Sequence, residues 1–239
     1  MPEPVLRRQL AELTDRHELP ADSVDAFAAL LDFLAAPRAP TSVHDPLDGL
    51  QVHIADSLAG LEIDELRRAE VIADLGAGAG LPGLVLAAAL AHARVFLVES
   101  VGRKCEFLRR AARAMALDNV EVVWARVEEW RDGIGVCDAV CARALAPLSV
   151  LCEYAAPLLR DRGILVAWKG AVDDQEAADA AAAAAHLGLA IEAAHSVVPF
   201  QGSVRRSLHL VRKIAPTPPD FPRRPGIATK RPLTAKSLQ

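Results

Sequence analysis

The stretch VIADLGAGAGLPG, residues 71–83, ends an apolar run on Asp74 and then sets glycines at 76, 78, 80 and 83. Glycines without a Cβ let a ligand lie directly against backbone, and the spacing limits which ligand. The dinucleotide fingerprint is G-x-G-x-x-G, but here the third position is Leu81 and the third glycine is displaced to Gly80. That displacement disfavours a pyrophosphate. No Lys-Ser or Lys-Thr follows the glycines, which excludes a nucleoside-triphosphate P-loop. A second acid, Glu99, closes the next apolar run 23 residues after Gly76, where a carboxylate accepts from both hydroxyls of a ribose.

The pattern around these residues specifies the elements that must hold them. Apolar residues at helical spacing mark VLRRQLAEL and SVDAFAALLDFLA, so the chain opens with helices. APRAPTSVHDPLDG breaks that pattern as a loop, and LQVHIADSLAGL resumes a helix. Alternation follows: strand 71–75, helix 81–91, strand 94–99, helix 102–116, strand 120–124, short helix 126–131, strand 137–142, helix 147–159 and strand 163–168. Strands alternating with helices require a parallel sheet covered on both faces. The alanine-rich segment 175–189 reads as a further covering helix stopped by Gly188. AIEAAHSVVPF and VRRSLHLVRKI, joined by QGS, read as a hairpin closing the sheet with an antiparallel edge. The chain thus divides into an N-terminal helical segment, 1–68, an α/β core, 69–214, and a tail, 215–239, whose six prolines predict an extended rather than packed course.

A glycine turn of the form G-x-G-x-G after a strand ending in Asp matches the first motif of the class I S-adenosylmethionine (AdoMet) methyltransferases. The chemistry suits that ligand. The glycines admit the methionine and ribose portions, and the start of helix 81–91 offers unpaired N–H groups and a positive dipole end to a carboxylate. Asp74 holds the loop or, through water, the ammonium. The expected fold is therefore Rossmann-like, with a mostly parallel sheet, a terminal antiparallel hairpin and preceding N-terminal helices.

Four further stretches make the resemblance specific: the glycine loop with its LPG extension, VESVGRKCEFLRRAARAMALDNVEVVWARVEEW, CDAVCARALAPLSVLCEYAAPLLRDRGILVAWKG and FPRRPGIATKRPL. In this order they resemble the bacterial GidB/RsmG family, over about residues 44 to 233. VHIADSL, residues 52–58, also resembles the family's segment ahead of the first strand. The resemblance implies methyl transfer from AdoMet to N7 of a guanine in 16S ribosomal RNA. It also implies that Gly76 and Leu81 touch the cofactor and that Val127 and Glu128 meet the adenine; the spacing adds Gly78 to the cofactor loop and gives Glu99 to the ribose. Arg143 is placed at the methyl end, an unpaired arginine after an apolar strand and pointing into the cleft mouth. One departure stands out: where the family pattern has W-N-x-x-x-N-L-T, this chain has FLAAPRAPTSV.

Guanine N7 carries a lone pair and no proton at neutral pH, so it needs no general base. Catalysis then rests on alignment, with reacting atoms about 3–3.5 Å apart and roughly 7–11 kcal/mol available from pre-organisation. His44, His53 and His209 are accordingly read as packing, capping or RNA-contacting residues, and no catalytic residue is assigned. Cys105, Cys137, Cys141 and Cys152 form no CxxC pair, so buried thiols are expected, with neither disulfide nor metal.

The net charge of −4 conceals an asymmetry, because residues 203–239 hold nine Lys and Arg against the single acid Asp220. Lys169, Arg205, Arg206, Arg223, Arg224 and Lys230 are the expected phosphate contacts. Aromatic residues make up only 4% of the chain, which gives little to stack a base upon. The expected partner is 16S rRNA or the small-subunit particle, and the expected protein is a cytoplasmic monomer without a membrane segment. Two other readings fit the core motifs: a class I methyltransferase for a small molecule or protein, and a non-catalytic RNA-binding module.

Overall fold

The computed structural model describes residues 3–238. Helices α1 (Glu3–Arg16) and α2 (Ser23–Ala35) lead through a loop into a nearly continuous helical run. That run comprises α3 (Pro46–Gly49), a π-helical segment Leu50–Ala55 and α4 (Asp56–Leu58), and α5 (Asp64–Arg67) follows. The alternating core consists of β1 (Val71–Leu75), α6 (Gly83–Ala89), β2 (Arg94–Glu99), α7 (Gly102–Ala114), β3 (Val120–Trp124), β4 (Cys137–Arg143), α8 (Leu148–Ala155), β5 (Leu159–Lys169), α9 (Asp174–His186), β6 (Leu189–Val197) and β7 (Arg206–Lys213). A short α10 (Ile227–Lys230) lies in the tail.

The seven strands form one sheet in the order β3-β2-β1-β4-β5-β7-β6. The first five are parallel, and β7 runs antiparallel between β5 and β6. The order reverses between β1 and β4, and a sheet of this kind opens a ligand crevice beyond the carboxyl ends of those strands. Asp74 stands near the end of β1, and Glu99 ends the neighbouring β2.

Successive side chains of a strand face opposite ways, and the central strands feed two cores. Ile72, Leu97, Ala139, Cys141 and Val166 join one; Ala73, Leu75, Val98, Val140 and Ala167 join the other. Burial on both faces explains why β1, β2 and β4 are nearly uninterrupted apolar runs. The N-terminal helices belong to the first core, through Leu10, Phe27, Leu30, Leu31 and Leu34, so they share the sheet's interior.

Three details differ from the sequence expectation. Helix α6 starts at Gly83, two residues late, and the Gly83 N–H that opens it is already spent on the Asp74 carboxylate at 2.9 Å. Strand β5 begins at Leu159 because a bulge lets Leu159 pair with Cys137 before the regular register starts at Ile164, with Arg162 at φ +63°. The tail is packed rather than merely extended. Ala228 and Leu233 are buried in the second core, and Phe221 and Leu238 lean on it. Apolar area in FPRRPGIATKRPL outweighs the proline and charge content that predicted a solvated course.

Candidate functional site

Gly76 and Gly78 adopt φ +65° and +56°, in the left-handed region that favours glycine. A Cβ on Gly76 would stand 2.5 Å from Leu145. The bare backbone at Gly76, the Glu99 side chain, and Ser100, Val101, Lys104, Ala125, Val127, Glu128, Leu145 and Tyr154 enclose a cleft of about 320 Å³ at the carboxyl ends of β1, β2 and β3. Gly76, Glu99, Val127 and Glu128 of the expected cofactor set therefore meet in one place. Gly78 enters through its backbone N–H, which donates to Glu99 Oε2 at 3.1 Å. Leu81, expected to touch the cofactor, is instead buried in the first core and does not line the cleft.

Glu99 is the organising acid. Besides Gly78, it accepts from Val101 N–H at 2.9 Å, and Lys104 Nζ stands 3.9 Å away. A carboxylate has about four acceptor sites, so two remain for a ribose diol while the other two fix the loops on either side of it. Asp74 is fully buried; desolvation pushes its pKa up to about 7, partly offset by the Gly83 hydrogen bond. Its Oδ1 has no hydrogen-bond partner among the described residues. An acceptor left over beneath a loop of this shape fits an ammonium group or a water bound to one. The glycine backbone, the spare acceptors on Glu99 and this orphaned oxygen together suit AdoMet.

A second cleft, of about 210 Å³, adjoins the first through Ala144. Asp56, Arg143, Trp168, Lys169, Arg206 and Ser207 are in its wall. Here the expectation of an unpaired Arg143 is corrected. Arg143 donates to Asp56 Oδ2 at 2.7 Å and to the Val52 carbonyl at 3.1 Å. Asp56 is 4% exposed and also faces Arg206 at 3.4 Å, while its own carbonyl accepts from Trp168 Nε1 at 2.8 Å. The sequence reading passed over Asp56. Its signal was an acid within the otherwise apolar HIADSLAGL, since a buried charge demands a partner.

The remaining expected phosphate contacts divide. Lys169 is paired with Glu176 at 2.6 Å. Arg223 pairs with Glu153, which is 2% exposed at its side chain, and reaches the Arg231 carbonyl. That inward engagement corrects the picture of Arg223 as a free phosphate contact. Arg205, Arg224 and Lys230 are exposed and make no ion pair among the described residues. Gly226 N–H donates to Glu128 Oε1 at 2.7 Å, so the tail also fastens one wall of the larger cleft.

The histidines are engaged in packing. His53 Nε2 meets Thr41 Oγ1 at 3.1 Å, His44 Nδ1 meets the Leu34 carbonyl at 2.9 Å, and His209 Nε2 meets Ser207 Oγ at 3.2 Å. Burial lowers the pKa of His53 and of His209. All four cysteines are buried and unbridged.

Sheet order and glycine-loop cleft together define a class I AdoMet-dependent methyltransferase. Two solved structures share the fold: precorrin-6y C5,15-methyltransferase from Geobacter metallireducens, at TM-score 0.52 and 18% identity over 77% of this chain and 95% of that one, and Aeropyrum pernix fibrillarin with natively bound S-adenosyl-L-methionine, at TM-score 0.50 and 19% identity over 66% and 72%. The model of the GidB family, rRNA small subunit methyltransferase G, matches residues 21–208. Ribosomal RNA small subunit methyltransferase G of Rubrobacter xylanophilus is 42% identical over 195 residues, 79% of this chain and 75% of that protein. The chain belongs to the GidB family of rRNA small subunit methyltransferases.

Proposed function

We propose that this enzyme transfers the methyl group of AdoMet to N7 of a guanine in 16S rRNA, working as a monomer in the cytoplasm. The observation that carries the reading is the character of the smaller cleft. Its ionisable groups, Asp56, Arg143, Lys169 and Arg206, are cationic or committed to an ion pair, leaving no free carboxylate or imidazole to remove a proton. Such a wall suits a nucleophile that already has a lone pair and comes attached to phosphates. A hydroxyl or ammonium substrate would need a base there.

In this reading Glu99 holds the ribose diol, Val127 and Glu128 flank the adenine, and the Gly76–Gly78 backbone lies along the cofactor. AdoMet, when bound, supplies an electrophilic methyl on a sulfonium. Arg143, fixed by Asp56, stands where the two clefts meet and orients the incoming base. Exclusion of water and in-line alignment then supply the rate enhancement.

The test is nucleoside analysis of 16S rRNA and of small ribosomal subunits after incubation with enzyme and labelled AdoMet. Label in 7-methylguanosine is expected. Label in another nucleoside would overturn the N7 assignment, and binding without transfer would favour the non-catalytic reading.

A further inference from the structure

A hollow of about 760 Å³ lies outside both clefts, between the end of α2, the loop after it and the outer face of α7. Phe33 and Phe107 form an edge-to-face pair in its wall, with ring centroids 6.0 Å apart. Arg38, Arg103, Lys104 and Arg110 surround them, against the two acids Asp32 and Glu106. Arg110 lies over the Phe33 ring at 5.7 Å. Arg38 and Arg103 are exposed and make no ion pair among the described residues. Arg109 and Arg113 extend the same cationic character along α7.

Two features give this groove a direction. Lys104 belongs to its wall and also to the wall of the cofactor cleft, where its Nζ faces Glu99. A strand lying in the groove therefore passes directly beside the cofactor cleft. Arg38 comes from FLAAPRAPTSV, the stretch in which this chain departs from the family pattern. The excess positive charge is also local: outside residues 203–239 the chain carries a net −12. Concentrating unpaired arginines around a hollow on an otherwise acidic body favours a polyanion there.

Resting on the rRNA methyltransferase reading, we propose that the α2–α7 groove is the docking track for the phosphate backbone of the rRNA strand flanking the target guanine. Guanidinium groups on Arg38, Arg103 and Arg110 would neutralise successive phosphates, and the Phe33–Phe107 floor would keep them desolvated. Such contacts fix register without reading sequence.

The test uses the full chain carrying Arg38→Gln, Arg103→Gln and Arg110→Gln, beside an Arg38→Gln/Arg103→Gln pair that keeps the Arg110–Phe33 stacking. Filter binding to deproteinised 16S rRNA and to small ribosomal subunits is followed across a salt series, with AdoMet affinity measured by calorimetry. Losing three phosphate contacts should make the slope of log K against log salt shallower by about 2 and lower RNA affinity tens-fold near 0.15 M salt. Melting temperature and AdoMet affinity should hold. A folded variant, triple or double, with wild-type RNA affinity and slope overturns the groove. Normal binding of bare rRNA with loss confined to the subunit particle also overturns it, assigning the surface to an acidic ribosomal protein. A wild-type enzyme that methylates no rRNA overturns the reading beneath it, which is a separate result.

Discussion

Residues 203–239 set nine cationic side chains against one acid, and α7 sets five against one, yet the two basic regions use their charge differently. In the C-terminal region Arg206, Arg212 and Arg223 turn onto Asp56, Glu192 with Glu65, and Glu153, while Lys213 Nζ donates to the Ala156 and Leu159 carbonyls. On α7, Lys104 alone faces an acid across the cofactor cleft. Charge in a sequence therefore says little about partners until the carboxylates it meets are placed. Four of the nine C-terminal cations are committed to the fold, against one of the five on α7.

The sharpest way to break this contrast is Arg223→Ala. It strands the Glu153 carboxylate in the second core, and removing one partner of a buried pair costs about 3–5 kcal/mol. Chemical denaturation should show that loss, whereas Arg103→Ala should stay within about 0.5 kcal/mol. Equal effects would erase the distinction.

Next comes Glu99→Ala, at the acid that α7 faces. Loss of a charged acceptor is expected to weaken AdoMet by roughly 1.5–3 kcal/mol per ribose bond. The freed Gly78 and Val101 N–H groups should also loosen the loops. Calorimetry giving unchanged affinity in a folded variant would make Glu99 purely structural. A smaller effect belongs to a chain ending at residue 224, which keeps Arg223 but removes the Gly226 hydrogen bond to Glu128. AdoMet affinity should drop about fivefold, near 1 kcal/mol, as one neutral donor to the carboxylate is lost. Identical affinity would show that the tail braces the fold without shaping the cleft. The smallest change is expected from Arg224→Ala/Lys230→Ala: stability within about 0.5 kcal/mol and, at most, a salt slope for rRNA binding shallower by about 1.5. A greater loss of RNA affinity than in the α7 variants would reverse the comparison.

Much of the architecture was legible because the central strands are buried on both sides. VIADL and RVFLVE are apolar runs bounded by turn residues, and β1 and β2 occupy 71–75 and 94–99 as their patterns predict. The Gly76 turn and Glu99 were legible for the same reason, since local spacing places both at strand ends. The partner of Arg143 was not, because Asp56 lies 87 residues earlier and is brought there only by packing. Nor was the engagement of Arg223, which depends on burial of Glu153 by α8. Cations on α7 were equally hidden: their spacing is that of any solvated helix face until the loop bearing Arg38 closes over it.

The thiols offer an unexpected use. Burial pushes the Cys137 and Cys152 pKa values up to about 12 and that of Cys141 well above its ordinary value. In the folded chain they hold their protons and are shielded from electrophiles, so an alkylating reagent reaches them only when β4 or α8 opens. The enzyme thus carries built-in clocks, and labelling rates with and without AdoMet would time the breathing of the strand that ends at Arg143.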